Sequence, residues 1–226
     1  MHSILSIRIA LVIGIVLIST FENLVAQNRV NAFDQTSDTL AVETNQKSAV
    51  FTIGGFRPST MENSNFGRAT EEKLSFKLGV QIFAYKGLFL GVFHSSSYFD
   101  VTNQDVLGRY YKTTVSAFYL QVGYELRVVD NFSIGASIAP VSNVIYKNII
   151  DSDRIKQQKD DAHFIQYELY LAYNITQTLA VYIDYSYRND NTGIQTAPEI
   201  SEDFNNIKFH NFGLGLKIYV GKESLF

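Results

Sequence analysis

The chain has no cysteine and no tryptophan, and only three of its 226 residues are proline. The missing cysteine excludes a disulfide framework and a thiolate metal site. A formal net charge of −3 leaves no basic stripe for nucleic acid. No glycine-rich phosphate loop follows a strand and opens a helix, because no helix is predicted. Long apolar runs are missing too. The uncharged stretch IALVIGIVLI, Ile9 to Ile18, falls well short of the ~20 apolar residues a spanning helix needs, and no later segment reaches that length. What the chain has in quantity is aromatic residues, 14 Tyr and 17 Phe, in a length that suits one ordinary domain.

The N-terminus has the order of a secretory signal peptide. MHSILSIR is weakly positive, the apolar core follows, and Ala26 offers a small residue for cleavage. The expected organisation is a signal peptide at 1–26, a polar periplasmic tail at 27–47 and a folded unit at 48–226.

That unit reads with period two. In KLSFKLGVQIFAY, Leu74, Phe76, Leu78, Val80 and Ile82 alternate with Ser75, Lys77, Gly79, Gln81 and Phe83. Eight such strands are predicted: Ser48–Phe56, Leu74–Tyr85, Leu88–Phe99, Thr113–Val128, Phe132–Val144, His163–Ile175, Leu179–Arg188 and Ile207–Val220. Most exceed the ~5–6 residues usual in globular proteins and suit the ~9–11 that cross a bilayer. Short connections at Lys86-Gly87, Val129-Asp130-Asn131 and Thr176-Gln177-Thr178 alternate with long polar ones near 57–73, 100–112, 145–162 and 189–206. Tight turns at one end and long loops at the other are the pattern of a transmembrane barrel. A three-residue turn would set Val128 opposite Phe132 and Tyr124 opposite Ala136, so the greasy faces coincide. Pro140 interrupts the fifth strand and must sit at a bulge or a strand end.

The faces decide what lies outside. Ile165, Tyr167, Leu169, Leu171, Tyr173 and Ile175 carry no charge, and the other strands repeat this. The opposite faces mix Gly, Ala and Ser with charges, as in Asn211, Gly213, Gly215, Lys217 and Tyr219. Glycine weakens a solvated strand but fits where the walls of a narrow barrel crowd together. Tyr167 and Tyr173, Tyr185 and Tyr187, and Phe132 stand near strand ends, as in aromatic girdles. The predicted fold is therefore an all-β, eight-stranded antiparallel up-and-down transmembrane β-barrel. The third strand is its weak point: the Lys86-Gly87 register sends Phe89, Gly91 and Phe93 to lipid and Leu90 and Val92 inward.

By the same alternation Lys77, Arg127, Arg188 and Lys217 point into the lumen with Glu125, Glu168 and Asp184. Gln81, Gln121, Gln166, Tyr119, Tyr170 and Tyr182 accompany them. Buried charges must pair, and the register sets Gln166 opposite Arg188 with Glu168 on the diagonal, and Asp184 opposite Tyr170. No cofactor and no metal is expected. Asp160, Asp161 and His163 in KDDAH read as a solvated loop.

The pattern over residues 48–226 resembles the small outer-membrane β-barrel family that includes the OmpA transmembrane domain, OmpX and the PorT-like barrels. Within the last strand, NFGLGLKIYV, Asn211, Gly213, Leu216 and Ile218 are similar to the C-terminal assembly signal of such barrels, and the chain ends in Phe226. The resemblance implies an outer-membrane location in a Gram-negative bacterium and contact with outer-membrane lipid. It also implies assembly by the barrel-insertion machinery through the last strand. The roles it implies are non-enzymatic: structural, loop-mediated interaction with a protein partner, secretion-associated or narrow-pore. Two alternatives stand beside it. His94 and Ser96 in FHSSSYF resemble the His-x-Ser of outer-membrane lipid A acyl hydrolases, although the register above turns His94 into the lumen. A soluble exported lipocalin-like carrier would carry the greasy face inside.

Overall fold

The computed structural model describes residues 47–61, 64–150, 157–192 and 206–221. The segments expected to be a signal peptide, 1–26, and most of the tail, 27–47, lie outside the described residues. The period-two segments form β1 (Ala49–Thr60), β2 (Thr70–Glu72), β3 (Ser75–Tyr85), β4 (Leu88–Val101), β5 (Tyr110–Val129), β6 (Phe132–Ile150), β7 (Gln157–Asn174), β8 (Leu179–Thr192) and β9 (Asn206–Val220). Apart from β2, each pairs antiparallel with the next strand of the ring, β1 with β3 and so on to β9, and β1 and β9 close it, with Phe51 opposite Ile218. Eight strands complete the ring, and the three-residue β2 pairs only with the end of β4. Closure removes every long free edge.

The greasy face is outside. Leu214, Phe212 and Ile183 are 68%, 62% and 60% exposed, whereas Lys77 and Lys217 inside are 4% and 2% exposed. A soluble carrier has the opposite arrangement, so the lipocalin-like alternative is corrected: this wall has to meet lipid. Rings near the turn end include Phe132 and Tyr173, paired across β6 and β7 at 5.0 Å.

Local irregularities correct three expectations. Lys86 and Gly87 both take positive φ, 37° and 91°, as a two-residue hairpin turn of the primed type requires. The register then shifts between Phe83 and Tyr85, so that Phe83 rather than Ala84 faces Phe89. This bulge turns the whole of β4 over: Phe89, Gly91 and Phe93 point inward, and Leu88, Leu90, Val92 and His94 point to lipid. Next, the turn joining β5 to β6 is tighter than expected, with Val129 opposite Phe132; a shift near Val128 restores Tyr124 opposite Ala136. Pro140 lies where β6 loses register with β7, between Ala139 and Val144. There the Ser142 hydroxyl accepts from the Phe164 N–H at 2.6 Å and lies 2.8 Å from the Phe164 carbonyl, taking the place of ladder bonds.

The third correction concerns the loops. Much of 145–162 and the first residues of 189–206 are strand, because β6 runs to Ile150, β7 starts at Gln157 and β8 ends at Thr192. The segment near 57–73 holds the end of β1, a helical turn at Asn65–Ala69 and β2; that near 100–112 holds a turn at Gln104–Leu107. Ser64 caps the first turn by accepting from the Gly67 N–H. Outside the barrel, hydrogen bonds from Lys73 to Glu71 and Asp100 hold its ammonium above its ordinary pKa range.

Candidate functional site

Alternation on β3, β5, β7, β8 and β9 delivers a stack of charges to the barrel axis. In the middle, Lys77 of β3 reaches across the lumen and donates to Glu168 of β7 and Asp184 of β8, each at 3.0 Å. Its ammonium lies 5.3 Å from the Tyr182 ring centre, and Gln166 donates to Glu168 at 3.3 Å. Toward the turn end, Lys217 of β9 donates to Glu125 of β5 at 2.7 Å and sits 3.5 Å from the centre of the Tyr170 ring. Glu125 also accepts from Tyr170 at 2.7 Å and from Tyr219 at 3.2 Å. Toward the loop end, Arg188 pairs with Asp190 on its own strand. Tyr146 donates to the same carboxylate at 2.6 Å, and the guanidinium lies 4.1 Å from the centre of the Phe164 ring.

Aromatic clusters flank this stack. On the loop side Phe66, from the turn Asn65–Ala69, packs edge-on against Phe99, Tyr146 and Phe209, joined by Phe93, Tyr119 and Phe164. On the turn side Phe83 and Phe89 meet at 5.8 Å within a cluster holding Tyr170, Tyr182 and Tyr219. Glycine makes the room for these rings. A Cβ on Gly135 would stand 2.0 Å from Tyr170, and one on Gly79 2.1 Å from Phe93.

The sequence-predicted lumen residues divide as follows. Lys77, Gln166, Glu168 and Asp184 meet in the centre, while Glu125, Tyr170 and Lys217 meet near the turn end. Tyr182 lies between these groups with its hydroxyl unpaired among the described residues. Gln121 donates to Ser137 at 2.6 Å, and Gln81 is buried opposite Gly91. Two expectations are corrected. Arg127 is exposed at the turn-end rim and joins no ion pair among the described residues. Arg188 faces Gln166 in register, yet its carboxylate partner is Asp190 and not Glu168, because Glu168 lies on the side of Lys77. Tyr146 and Asp190 were missed. Both lie past the ends predicted for their strands; alternation from Arg188 reaches Asp190, whereas Tyr146 is turned inward by the register shift between Ala139 and Val144. Tyr219, already on the inward face with Lys217, takes Glu125 as its partner.

The outer wall carries its own polar pair. With β4 turned over, His94 leaves the lumen, contrary to expectation, and its Nε2 lies 3.4 Å from the Ser96 hydroxyl. Ser116 is beside them on β5, opposite Ser96. No carboxylate contacts His94 among the described residues. Asp160 faces inward and bonds Asn148 at 3.2 Å, whereas Asp161 and His163 are exposed on the outer face of β7, so these three do not converge. Among the described residues no cluster of acidic and histidine side chains could hold a metal.

No family model matches the sequence, and neither does any curated protein. Solved structures do. The neisserial surface protein A aligns with 76% of this chain and 97% of its own length at 6% identity and a TM-score of 0.55. A major outer-membrane protein of Thermus thermophilus covers 76% and 98% at 12% identity, TM-score 0.49. The N-terminal barrel of Pseudomonas aeruginosa OprF covers 76% and 98% at 13% identity, TM-score 0.43. Together with the closed ring and the greasy outer wall, the likeness to the neisserial protein gives this chain the fold of the small eight-stranded outer-membrane β-barrels.

Proposed function

We propose that the protein is a non-enzymatic outer-membrane barrel of a Gram-negative bacterium whose lumen is closed to solutes, and that it acts through its outer surfaces. The observation carrying this reading is the tie across the lumen: Lys77 joins Glu168 and Asp184, with aromatic clusters on either side. Groups bonded to one another across a narrow barrel leave no continuous water path for anything larger than an ion. The parts free to act are then the strand ends beyond the greasy belt. There Tyr110 bonds Gln158 at 2.5 Å, Asn148 bonds Asp160 at 3.2 Å, and Thr113 bonds Asn148 at 2.7 Å. This ladder stiffens a three-stranded projection that suits a protein partner. A chain that starts and ends in the periplasm would turn this projection to the outside, and β9 would be the strand read by the insertion machinery. The test is planar-bilayer recording of the purified protein: the reading expects no stable steps of porin size, and such steps would reject it.

One observation favours a second reading. His94 and Ser96 share the lipid-facing wall 3.4 Å apart, so a base stands near hydroxyl range of a nucleophile where an acyl chain would lie. As a lipid A acyl hydrolase the protein would release fatty acid in detergent, and Ser96→Ala and His94→Ala would each abolish the release. No release from the unaltered protein would end this reading.

A further inference from the structure

Outward-pointing charges near the loop end are distributed unevenly around the barrel. On the β3–β5 side they are neutralised: Lys73 holds Glu71 at 2.9 Å and Asp100 at 3.3 Å, and Lys112 stands opposite Asp100. On the β8–β9–β1 side they are not paired among the described residues. Arg57 shares the outer face of β1 with Phe51 and Ile53 and stands opposite Phe212 of β9. Two and four residues beyond Phe212 on the same face come His210 and Lys208, opposite Tyr187 and Asn189. Among the described residues neither Arg57 nor Lys208 joins an ion pair. Glu72 forms no ion pair with Arg57; its carboxylate accepts from the Thr60 N–H and hydroxyl at 3.0 and 2.9 Å.

A cation set against acyl chains is costly, and its long side chain relieves the cost by reaching the headgroup layer. Arg57 lies at that boundary: Phe51 and Ile53 are below it and Ser59 above it on one strand face. His210 is already oriented. Its Nδ1 lies 2.7 Å from the Tyr185 hydroxyl, and Tyr187 covers the ring at 5.4 Å. A guanidinium fork, an ammonium and an imidazole on one patch without an ion pair among the described residues match a phosphate oxyanion.

We infer that Arg57, Lys208 and His210 form a docking surface for the phosphate of a lipid headgroup in the leaflet around the loop end. The apolar wall of Ile53, Phe212 and Leu214 beneath them would receive that lipid's acyl chains.

The test is native mass spectrometry of the full barrel from micelles doped with equal amounts of phosphatidylglycerol and phosphatidylcholine. The unaltered protein should retain phosphatidylglycerol in preference, and Arg57→Gln with Lys208→Gln should lower that retention at least tenfold. Lys112→Gln, on the neutralised side, should leave it unchanged. Tyr185→Phe, which only frees His210, should lower it several-fold and serves where the double variant does not fold. Equal retention of the two lipids, an unchanged double variant, or an equal loss in Lys112→Gln would overturn the inference.

Discussion

Arg188 and Asp190 lie two residues apart on the inward face of β8, so both partners of this ion pair come from one strand. Lys77 instead meets Glu168, 91 residues away, and Asp184, 107 residues away, on the far wall of the barrel. Both sets of side chains are buried. The local pair is fixed by alternation along one strand and is held by the rings of Phe164 and Phe209. The central group exists only once the ring has closed, so it ties β3 to β7 and β8. One contact stabilises a stretch of wall; the other stabilises the closure.

This difference predicts an order of damage. Lys77→Met should do the most, because it leaves Glu168 and Asp184 buried and facing each other. Removing one partner of a buried pair costs about 3–5 kcal/mol. Urea unfolding in lipid vesicles should show that loss, and a variant as stable as the parent would mean that the tie contributes nothing to closure. Asp190→Asn should cost less, about 1.5–3 kcal/mol for the charge-assisted bonds. Asn keeps an acceptor for Arg188, and the rings remain around the guanidinium. A loss equal to that of Lys77→Met would erase the distinction between local and cross-barrel pairs. The smallest effect should come from Arg127→Gln at the exposed rim, within about 0.5 kcal/mol. A larger shift in the same unfolding assay would put Arg127 in the buried network after all.

Legibility followed the same line. Which face of β5, β7, β8 and β9 is greasy could be read directly, because a period of two survives any error in where a strand ends. Membership of the lumen followed for Lys77, Glu125, Glu168, Asp184 and Lys217. Partners did not follow. Glu168 is diagonal to Arg188 on neighbouring strands, and flat-sheet reasoning joins them. In the closed ring Lys77 arrives from across the lumen, and Arg188 takes Asp190. Strand ends were misread for a physical reason as well. At Tyr146, Asp160 and Asp190 the sequence turns polar because the sheet leaves lipid, while the ladder continues.

The sequence alone determined the number of strands crossing the membrane, the turns at one end, the lipid-facing wall on every strand but one, and the residue types that fill the lumen. These depend on alternation and turn chemistry, which are local. Tertiary structure decided the rest. A bulge beside Lys86-Gly87 reversed β4 and moved His94 from lumen to lipid, because a shift of one residue turns every side chain after it to the other face. Closure chose the partners of Lys77 and Lys217, since β3 adjoins neither β7 nor β8 in the sheet and β9 does not adjoin β5.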